Sequence, residues 1–155
     1  ILPGIELYGC YTREEIFTLT GRQTESRRMQ GSVSGVFTLP EYNTTLLFVT
    51  LNKSDKDFSP STQYDDYIIN KDYFHWQSKN TDAHHNAGGQ IYTKQPEKNN
   101  KIVLFVREEK KDGFGNTSPF HCFGLVDYVS SHGNFPMNIT WKLHQPVMAQ
   151  YLKVV

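Results

Sequence analysis

The sequence predicts a mainly β (α+β) domain, in which a curved antiparallel sheet closes into a barrel with two short flanking helices. Most apolar runs are short and alternating, and turn-forming residues separate them, which is typical of strands. No strand is followed by a helical pattern of about 10 to 15 residues, which repeated βαβ units would require. The length of 155 residues is that of one domain. The chain opens on Ile1 and not on Met, so we expect residues 1–155 to be one domain of a larger multidomain protein.

The two helices are predicted near the ends of the chain. Thr12 and Glu15 form the Thr-x-x-Glu capping pattern, and apolar residues recur at helical spacing behind it, which predicts a helix at residues 13–20. Pro146 suits a first helical position and predicts a short helix at residues 147–152.

The remaining periodic segments are predicted as strands. They cover residues 33–39, 45–51, 64–69 (a strand or a short helix), 74–78, 90–93, 101–110, 120–130 and 137–144. The segment 45–51 is apolar on both faces and should therefore lie in the middle of the sheet. In the last strand, four apolar residues alternate with polar ones: Met137, Ile139, Trp141 and Leu143.

Several classes of function find no support. Six His and two Cys show none of the close spacings typical of metal ligands, and no nucleophile elbow or phosphate-binding glycine loop is present. We expect Cys10 and Cys122 to be buried free thiols. No apolar run is long enough to cross a membrane. These features predict a cytoplasmic chain without cofactor, metal or membrane contact and without catalytic activity of its own.

The charge balance excludes a strongly basic, non-specific nucleic-acid binder, because Lys+Arg and Asp+Glu both number 16. The charges are nevertheless unevenly spread, since acidic residues concentrate between Asp55 and Asp82. Basic residues that could hold phosphates lie in two other regions: Arg22, Arg27, Arg28, Lys110 and Lys111.

Residues 61–80 combine planar rings with hydrogen-bonding groups, a mixture suited to stacking on a flat ligand and reading its edge. The candidate pocket residues in this segment are Tyr64, Asp65, Asp66, Tyr67, Phe74, His75, Trp76, Gln77 and Ser78. A carboxylate there can accept from an exocyclic amine such as cytosine N4.

Strand alternation pairs these groups in two ways. It places either Tyr64 with Asp66, or Asp65 with Tyr67, on one face next to Trp76. In the alternative interpretation, Trp76 and its neighbour Phe74 belong to the core and the acids cap loops.

The sequence also resembles a known bacterial family. The run Phe74-His75-Trp76-Gln77-Ser78-Lys79-Asn80 is the most specific part, and further segments continue it: Tyr11–Glu15, Pro40–Ser54, Phe58–Tyr67, Leu104–Glu108, Phe123–Ser130 and Pro136–Trp141. Together they resemble the C-terminal DNA target-recognition domain of type IV, modification-dependent restriction enzymes. Those enzymes carry a phospholipase-D-type nuclease and a superfamily 2 helicase.

The resemblance implies an SRA/PUA-like barrel that recognises 5-methylcytosine or 5-hydroxymethylcytosine in double-stranded DNA. Such a domain would flip the modified base into an aromatic pocket. It would direct the linked helicase and nuclease to foreign methylated DNA in bacterial defence. Two other functions stay open: a docking module of the helicase that reads no base, and a reader of another mark, such as backbone phosphorothioate.

Overall fold

The structure is a computed structural model that describes residues 1–22, 35–52 and 65–152. Within these residues, eight strands form one sheet. They are β1 (Cys10–Tyr11), β2 (Val36–Leu39), β3 (Thr44–Asn52), β4 (Tyr67–Ile68), β5 (Tyr73–Gln77), β6 (Lys101–Glu109), β7 (Phe120–His132) and β8 (Asn138–Leu143). The α-helices described are α1 (Arg13–Leu19), α2 (Ala87–Thr93) and α3 (Gln95–Lys98), with single 3-10 turns at Pro40–Tyr42 and Ala149–Tyr151.

The strand order is β2-β3-β6-β7-β8-β5-β4, and β1 pairs with the start of β7. All pairs are antiparallel except β3 and β6, which run parallel. The mainly β, antiparallel-rich fold is therefore as predicted. Among the described residues the sheet is not closed into a barrel, because its strand order ends at β2 and at the two-residue strand β4, and these two strands do not pair there.

The sheet packs a hydrophobic core against each face. In the parallel pair, Leu47 and Leu104 lie opposite each other and face one core, whereas their neighbours Leu46 and Val103 face the other. β3 and β6 are thus buried on both sides, which explains their nearly continuous apolar sequences. As predicted, residues 45–51 lie in an internal strand, which is flanked by the edge strand β2 and by β6.

The N-terminal helix forms as its sequence predicts. The Thr12 hydroxyl accepts from the Glu15 N–H, and the Glu15 carboxylate accepts from the Thr12 N–H, both at 3.1 Å. Ile16 and Phe17 bury the inner face of the helix in the second core. The predicted helix at residues 147–152 is only the 3-10 turn Ala149–Tyr151.

The prediction of a strand at residues 90–93 is wrong, because this segment is the end of α2. The Asn86 side chain caps the helix by accepting from the Gly89 N–H at 3.0 Å. The backbone at Gly89 lies so close to the Ala83 carbonyl that a Cβ atom would be 2.0 Å from its oxygen. The first turn of the helix therefore packs directly against the loop that precedes it.

The predicted alternation at the last strand is present: Ile139, Trp141 and Leu143 of β8 are buried, and so is Met137, which immediately precedes the strand. Both cysteines are free thiols; Cys122 is buried as predicted, whereas Cys10 is exposed. No helix among the described residues is both long and apolar enough to cross a membrane.

Candidate nucleic-acid interface

The β4–β5 hairpin carries the aromatic part of the candidate site. Its turn is closed by the Asn70 side chain, which accepts from the backbone N–H groups of Asp72 (2.9 Å) and Tyr73 (3.0 Å). Tyr67 lies opposite His75 across the two strands, and their rings stack with centroids 4.4 Å apart and planes 13° apart. His75 is buried, whereas Tyr67 is 45% exposed. The hairpin therefore presents a supported aromatic ring to solvent.

The segment before β4 is fixed to β5 by polar contacts. The Gln77 side-chain oxygen accepts from the Asp65 N–H at 2.6 Å, and Asp66 Oδ1 accepts from the Gln77 N–H at 2.8 Å. His75 Nδ1 lies 2.8 Å from the Asp65 carbonyl oxygen. Because a carbonyl only accepts, Nδ1 must carry the proton, which fixes the orientation of the ring beneath Tyr67.

β8 extends this surface through a side-chain contact. The Gln77 side-chain nitrogen donates to Asn138 Oδ1 at 3.0 Å, so both ends of the Gln77 amide are engaged. We refer to the side chains of Asp65, Tyr67, His75, Gln77 and Asn138 as the polar–aromatic surface. It combines an exposed stacking face with hydrogen-bonding groups held in fixed positions.

The opposite face of β5 belongs to the core. Phe74 and Trp76 are buried, and the Trp76 ring packs edge-on against Tyr92 with centroids 5.0 Å apart. Ser78 is also buried, and its hydroxyl accepts from the Met137 N–H at 2.9 Å. The structure thus separates these three residues from Tyr67, which stacks on His75 and does not lie next to Trp76. A base contact by Phe74, Trp76 or Ser78 stays a prediction.

Comparison with known proteins gives the family and the fold of this chain. Residues 5–154 match the family model described as "Domain of unknown function (DUF3427)". The chain belongs to this family. The DUF3427 chain is also similar to the SRA domain of SUVH5 in the crystal structure of its complex with methylated CHH DNA, with a TM-score of 0.53, 15% identity and 96% of each chain covered. At this identity the match establishes the fold, and the DUF3427 chain has an SRA-like fold. No curated protein sequence matches it.

Of the predicted phosphate contacts of the DUF3427 chain, the three that the structure describes do not gather around the polar–aromatic surface. Arg22 pairs with Glu41 at 3.2 Å and lies over the Phe37 ring, 5.5 Å from its centroid. Lys110 and Lys111 lie in the connection between β6 and β7.

The 13-residue strand β7 separates these lysines from the surface. Its start follows the β6–β7 hairpin, whereas its last residue, His132, pairs with Asn138. Tyr64, Arg27 and Arg28 lie outside the described residues. Phosphate binding by Arg22, Arg27, Arg28, Lys110 and Lys111 stays a prediction.

A cavity of about 420 Å³ lies at the β6–β7 end of the molecule. Among its lining residues are Arg107, Glu108, Lys111, His121 and Tyr151. None of the described base-pocket candidates lines it. His121 Nδ1 and the Tyr151 hydroxyl contact each other at 2.6 Å, so these two rings are engaged within the protein.

Arg107 is a buried cation that the sequence pattern did not single out. Its Nε donates to Thr50 Oγ1 at 2.9 Å and its Nη1 to the Ser118 carbonyl at 3.0 Å, and its guanidinium lies 4.2 Å from the Phe120 ring centroid. Burial, with a smaller contribution from Arg13, lowers the pKa of Arg107 to about 10. The guanidinium therefore ties β6 to β3 and to the chain before β7.

Asp82 is a second buried charged group that the sequence did not reveal. It is 1% exposed, and burial raises the pKa of its carboxyl group, although Lys79 and a hydrogen bond from Tyr92 act in the opposite direction. The Gly88-Gly89 pair was a sequence signal of close packing at this point, because a Cβ atom at Gly88 would be 2.3 Å from Asp82 Oδ1. Asn138 could also have been identified from the sequence, because it lies on the polar face of the predicted last strand.

A metal site finds no support in the part of the chain that the structure describes. No group of three or more His, Cys, Asp or Glu side chains there is arranged to hold a metal ion.

Proposed function

We propose that this DUF3427 domain recognises modified cytosine, either 5-methylcytosine or 5-hydroxymethylcytosine, in double-stranded DNA. The observation that carries the proposal is the exposed Tyr67 ring, stacked on His75 beside fixed polar groups, in a chain with an SRA-like fold. The SRA domain of SUVH5, which shares this fold, was crystallised with methylated DNA. The proposal assigns the same class of ligand to this chain.

The polar–aromatic surface suits a base that has been flipped out of the duplex. Flipping costs a few kcal/mol, and stacking on one aromatic ring recovers about 1–3 kcal/mol. Tyr67 provides that ring. Asp66 Oδ1 is engaged by the Gln77 N–H, so the exposed Asp65 is the better acceptor for cytosine N4.

The preference for a methylated base should be modest. Burial of one methyl group contributes about 1 kcal/mol, which corresponds to roughly fivefold in affinity. A larger preference would require a pocket that closes tightly around the methyl group.

The resemblance to type IV restriction enzymes supports a role for this domain within a larger enzyme. We propose that it recognises the mark and brings a linked superfamily 2 helicase and phospholipase-D-type nuclease to foreign methylated DNA. Strand translocation and cleavage are then functions of the linked domains, and this chain contributes binding.

The first prediction is that the domain binds a methylated duplex about fivefold more tightly than the same unmethylated duplex. Fluorescence anisotropy at one moderate salt concentration measures both affinities. Hydroxymethylated and phosphorothioate duplexes of the same sequence separate the three marks. Equal affinity for the methylated and unmethylated duplexes would contradict the proposal.

The second prediction concerns Tyr67. Tyr67→Ala should weaken binding to the methylated duplex by about tenfold, because one stacking face is lost. Tyr67→Phe keeps that face and should stay within about twofold of the wild type. The thermal unfolding of both variants controls for folding. If the domain is only a docking module of the helicase, neither change affects DNA binding.

A further inference from the structure

The β7–β8 loop, residues 133–137, adjoins the polar–aromatic surface and carries an exposed aromatic side chain. Phe135 is 55% exposed, and its backbone has a φ angle of 57°, in the left-handed region that large side chains seldom adopt. The loop adjoins the surface because a Cβ atom at Gly133 would be 3.3 Å from the Asn138 side chain. Asn138 in turn accepts from Gln77.

The loop is held in place by contacts with the segment that follows β5. The Phe135 N–H donates to the Asp82 carbonyl at 2.9 Å. Asn134 Oδ1 accepts from the His84 N–H at 2.8 Å and from His84 Nδ1 at 2.9 Å. His84 Nε2 then lies 2.7 Å from Ser131 Oγ, near the end of β7.

These contacts position the Phe135 ring without burying it. The His85 ring packs against one side of it, with centroids 5.9 Å apart and planes 74° apart. A large apolar side chain in solvent and a non-glycine residue in the left-handed region both cost free energy. The loop is anchored and yet keeps both the exposed ring and the left-handed backbone. This indicates that the Phe135 ring contacts a binding partner.

Duplex DNA is a better candidate for the partner of the Phe135 ring than a protein is. A protein interface of standard size needs about 800 Å² from each partner, with an apolar centre. Phe135 is a single ring that follows polar Asn134 in the chain and packs against the imidazole of His85. A single apolar side chain is, however, what DNA-bending proteins insert between base steps.

We propose that Phe135 is a wedge that stacks on the base pairs next to the modified cytosine. This inference rests on the proposed function, because it takes the polar–aromatic surface as the place where the flipped base sits. The wedge contacts the bases beside the mark and not the mark itself. It should therefore contribute to affinity for methylated and unmethylated DNA alike.

Tryptophan fluorescence tests the contact directly. The natural Trp76 and Trp141 are buried, with exposures of 4% and 0%, so a new surface tryptophan gives a distinct signal. Phe135→Trp should show strong quenching of its red-shifted emission when methylated duplex is added, because bases stack on the indole. The matched control is Phe114→Trp, at the β6–β7 hairpin, where Phe114 is 93% exposed; its emission should change little.

Affinity measurements complete the test. Phe135→Ala should weaken binding to methylated and unmethylated duplexes by about 5- to 50-fold each, with their ratio unchanged. Phe114→Ala should leave both affinities within about twofold. Loss of affinity in Phe114→Ala but not in Phe135→Ala would place the DNA at the other end of β7 and overturn the inference.

The outcomes also separate this inference from the proposed function. If the domain prefers methylated DNA but neither Phe135 variant changes signal or affinity, the wedge alone is wrong. If the unaltered domain binds no DNA, or shows no methyl preference, the proposed function fails and the wedge fails with it.

Discussion

At the scale of single residues, Asp82 shows how the interior supports the loops beside the site. Its carbonyl accepts from the Phe135 N–H, its carboxyl group receives a hydrogen bond from Tyr92, and Oδ2 is buried without a hydrogen-bond partner among the described residues. Burial raises the pKa of Asp82 and, together with the Asp82 charge, that of Tyr92. Burial therefore makes ionisation of the Asp82 carboxyl group harder in the folded protein than in the unfolded chain.

This shift predicts that Asp82 makes stability depend on pH. The folded-state pKa is raised, so the contribution is fully present below the unfolded value of about 4 and is lost as the pH rises through the folded value. Asp82→Asn cannot ionise and keeps an oxygen for Tyr92. Relative to the wild type, this variant should gain stability between pH 4 and pH 7, as measured by urea unfolding.

A matched control is Asp72→Asn, which removes a half-buried acid paired with Lys71 at 3.2 Å. A surface ion pair of this kind is worth about 0–1 kcal/mol, so the change should have a small effect. If the stability of Asp82→Asn relative to the wild type is the same at pH 4 and pH 7, Asp82 is not the cause of any pH dependence.

Sequence alternation predicted the sides of β5 but not their roles. Alternation along a strand puts Phe74 and Trp76 on one side and His75 and Gln77 on the other, and the structure has the same arrangement. It could not decide which group forms the core, because both faces carry rings and polar atoms. The side that carries Trp76 becomes the core because Trp141 of β8 and Tyr92 of α2 pack against the Trp76 ring. The information is tertiary and does not lie within the segment.

At the scale of elements, α2 forms because its glycines allow it to pack closely against the preceding loop. The sequence favoured a strand for residues 90–93, since the segment is short and Gly88-Gly89 normally interrupts a helix. Position 89 requires glycine because a side chain there would collide with the Ala83 carbonyl. The glycine pair alone does not show which group lies against it, so the type and the boundaries of this element were both mispredicted.

Gly89→Ala should therefore destabilise the protein by about 2 kcal/mol. A Cβ atom 2.0 Å from a backbone oxygen and 2.7 Å from Met137 Sδ forces the helix to move, and overpacking of this kind costs roughly 1–3 kcal/mol. The better helix propensity of alanine recovers only part of this. Urea unfolding measures the loss.

Gly113→Ala is the matched control for this change. A Cβ atom at Gly113 meets nothing within 4 Å, so the free energy of unfolding should stay within about 0.5 kcal/mol of the wild type. If the two substitutions lower the free energy of unfolding equally, the close contact between α2 and the Ala83 carbonyl is not the cause of the loss.

At the scale of the whole molecule, charge limits how the domain can hold DNA. Lys+Arg and Asp+Glu are equal at 16 each, so no net field attracts a polyanion. Arg22 is engaged with Glu41, Lys71 with Asp72 and Lys79 with Asp82. Affinity should therefore depend on stacking and edge contacts more than on phosphate neutralisation.

The expected result is a weak dependence of DNA affinity on salt. The slope of log K against log salt is about −0.9 per phosphate contacted, and we expect a value shallower than about −4. Anisotropy titrations between about 50 and 200 mM salt measure it. A slope of −6 or steeper would show that basic residues, such as the predicted Arg27 and Arg28, dominate binding.

The sequence predicted most strands of the fold but not how they pair. Period-two alternation identifies a strand and its faces, and it placed β3 and β6 correctly as buried elements. It contains no information on their parallel pairing or on whether β2 and β4 meet. A barrel was therefore expected where the sheet remains open.

The parallel pairing of β3 and β6 determines how the polar–aromatic surface is assembled along the chain. Two parallel neighbours cannot be joined by a tight turn, so a long connection must lie between them. This connection contains β4 and β5, which pair beyond β8 in the same sheet and carry Tyr67, His75 and Gln77. One crossover between two buried strands thus supplies most of the surface, and Asn138 of β8 completes it.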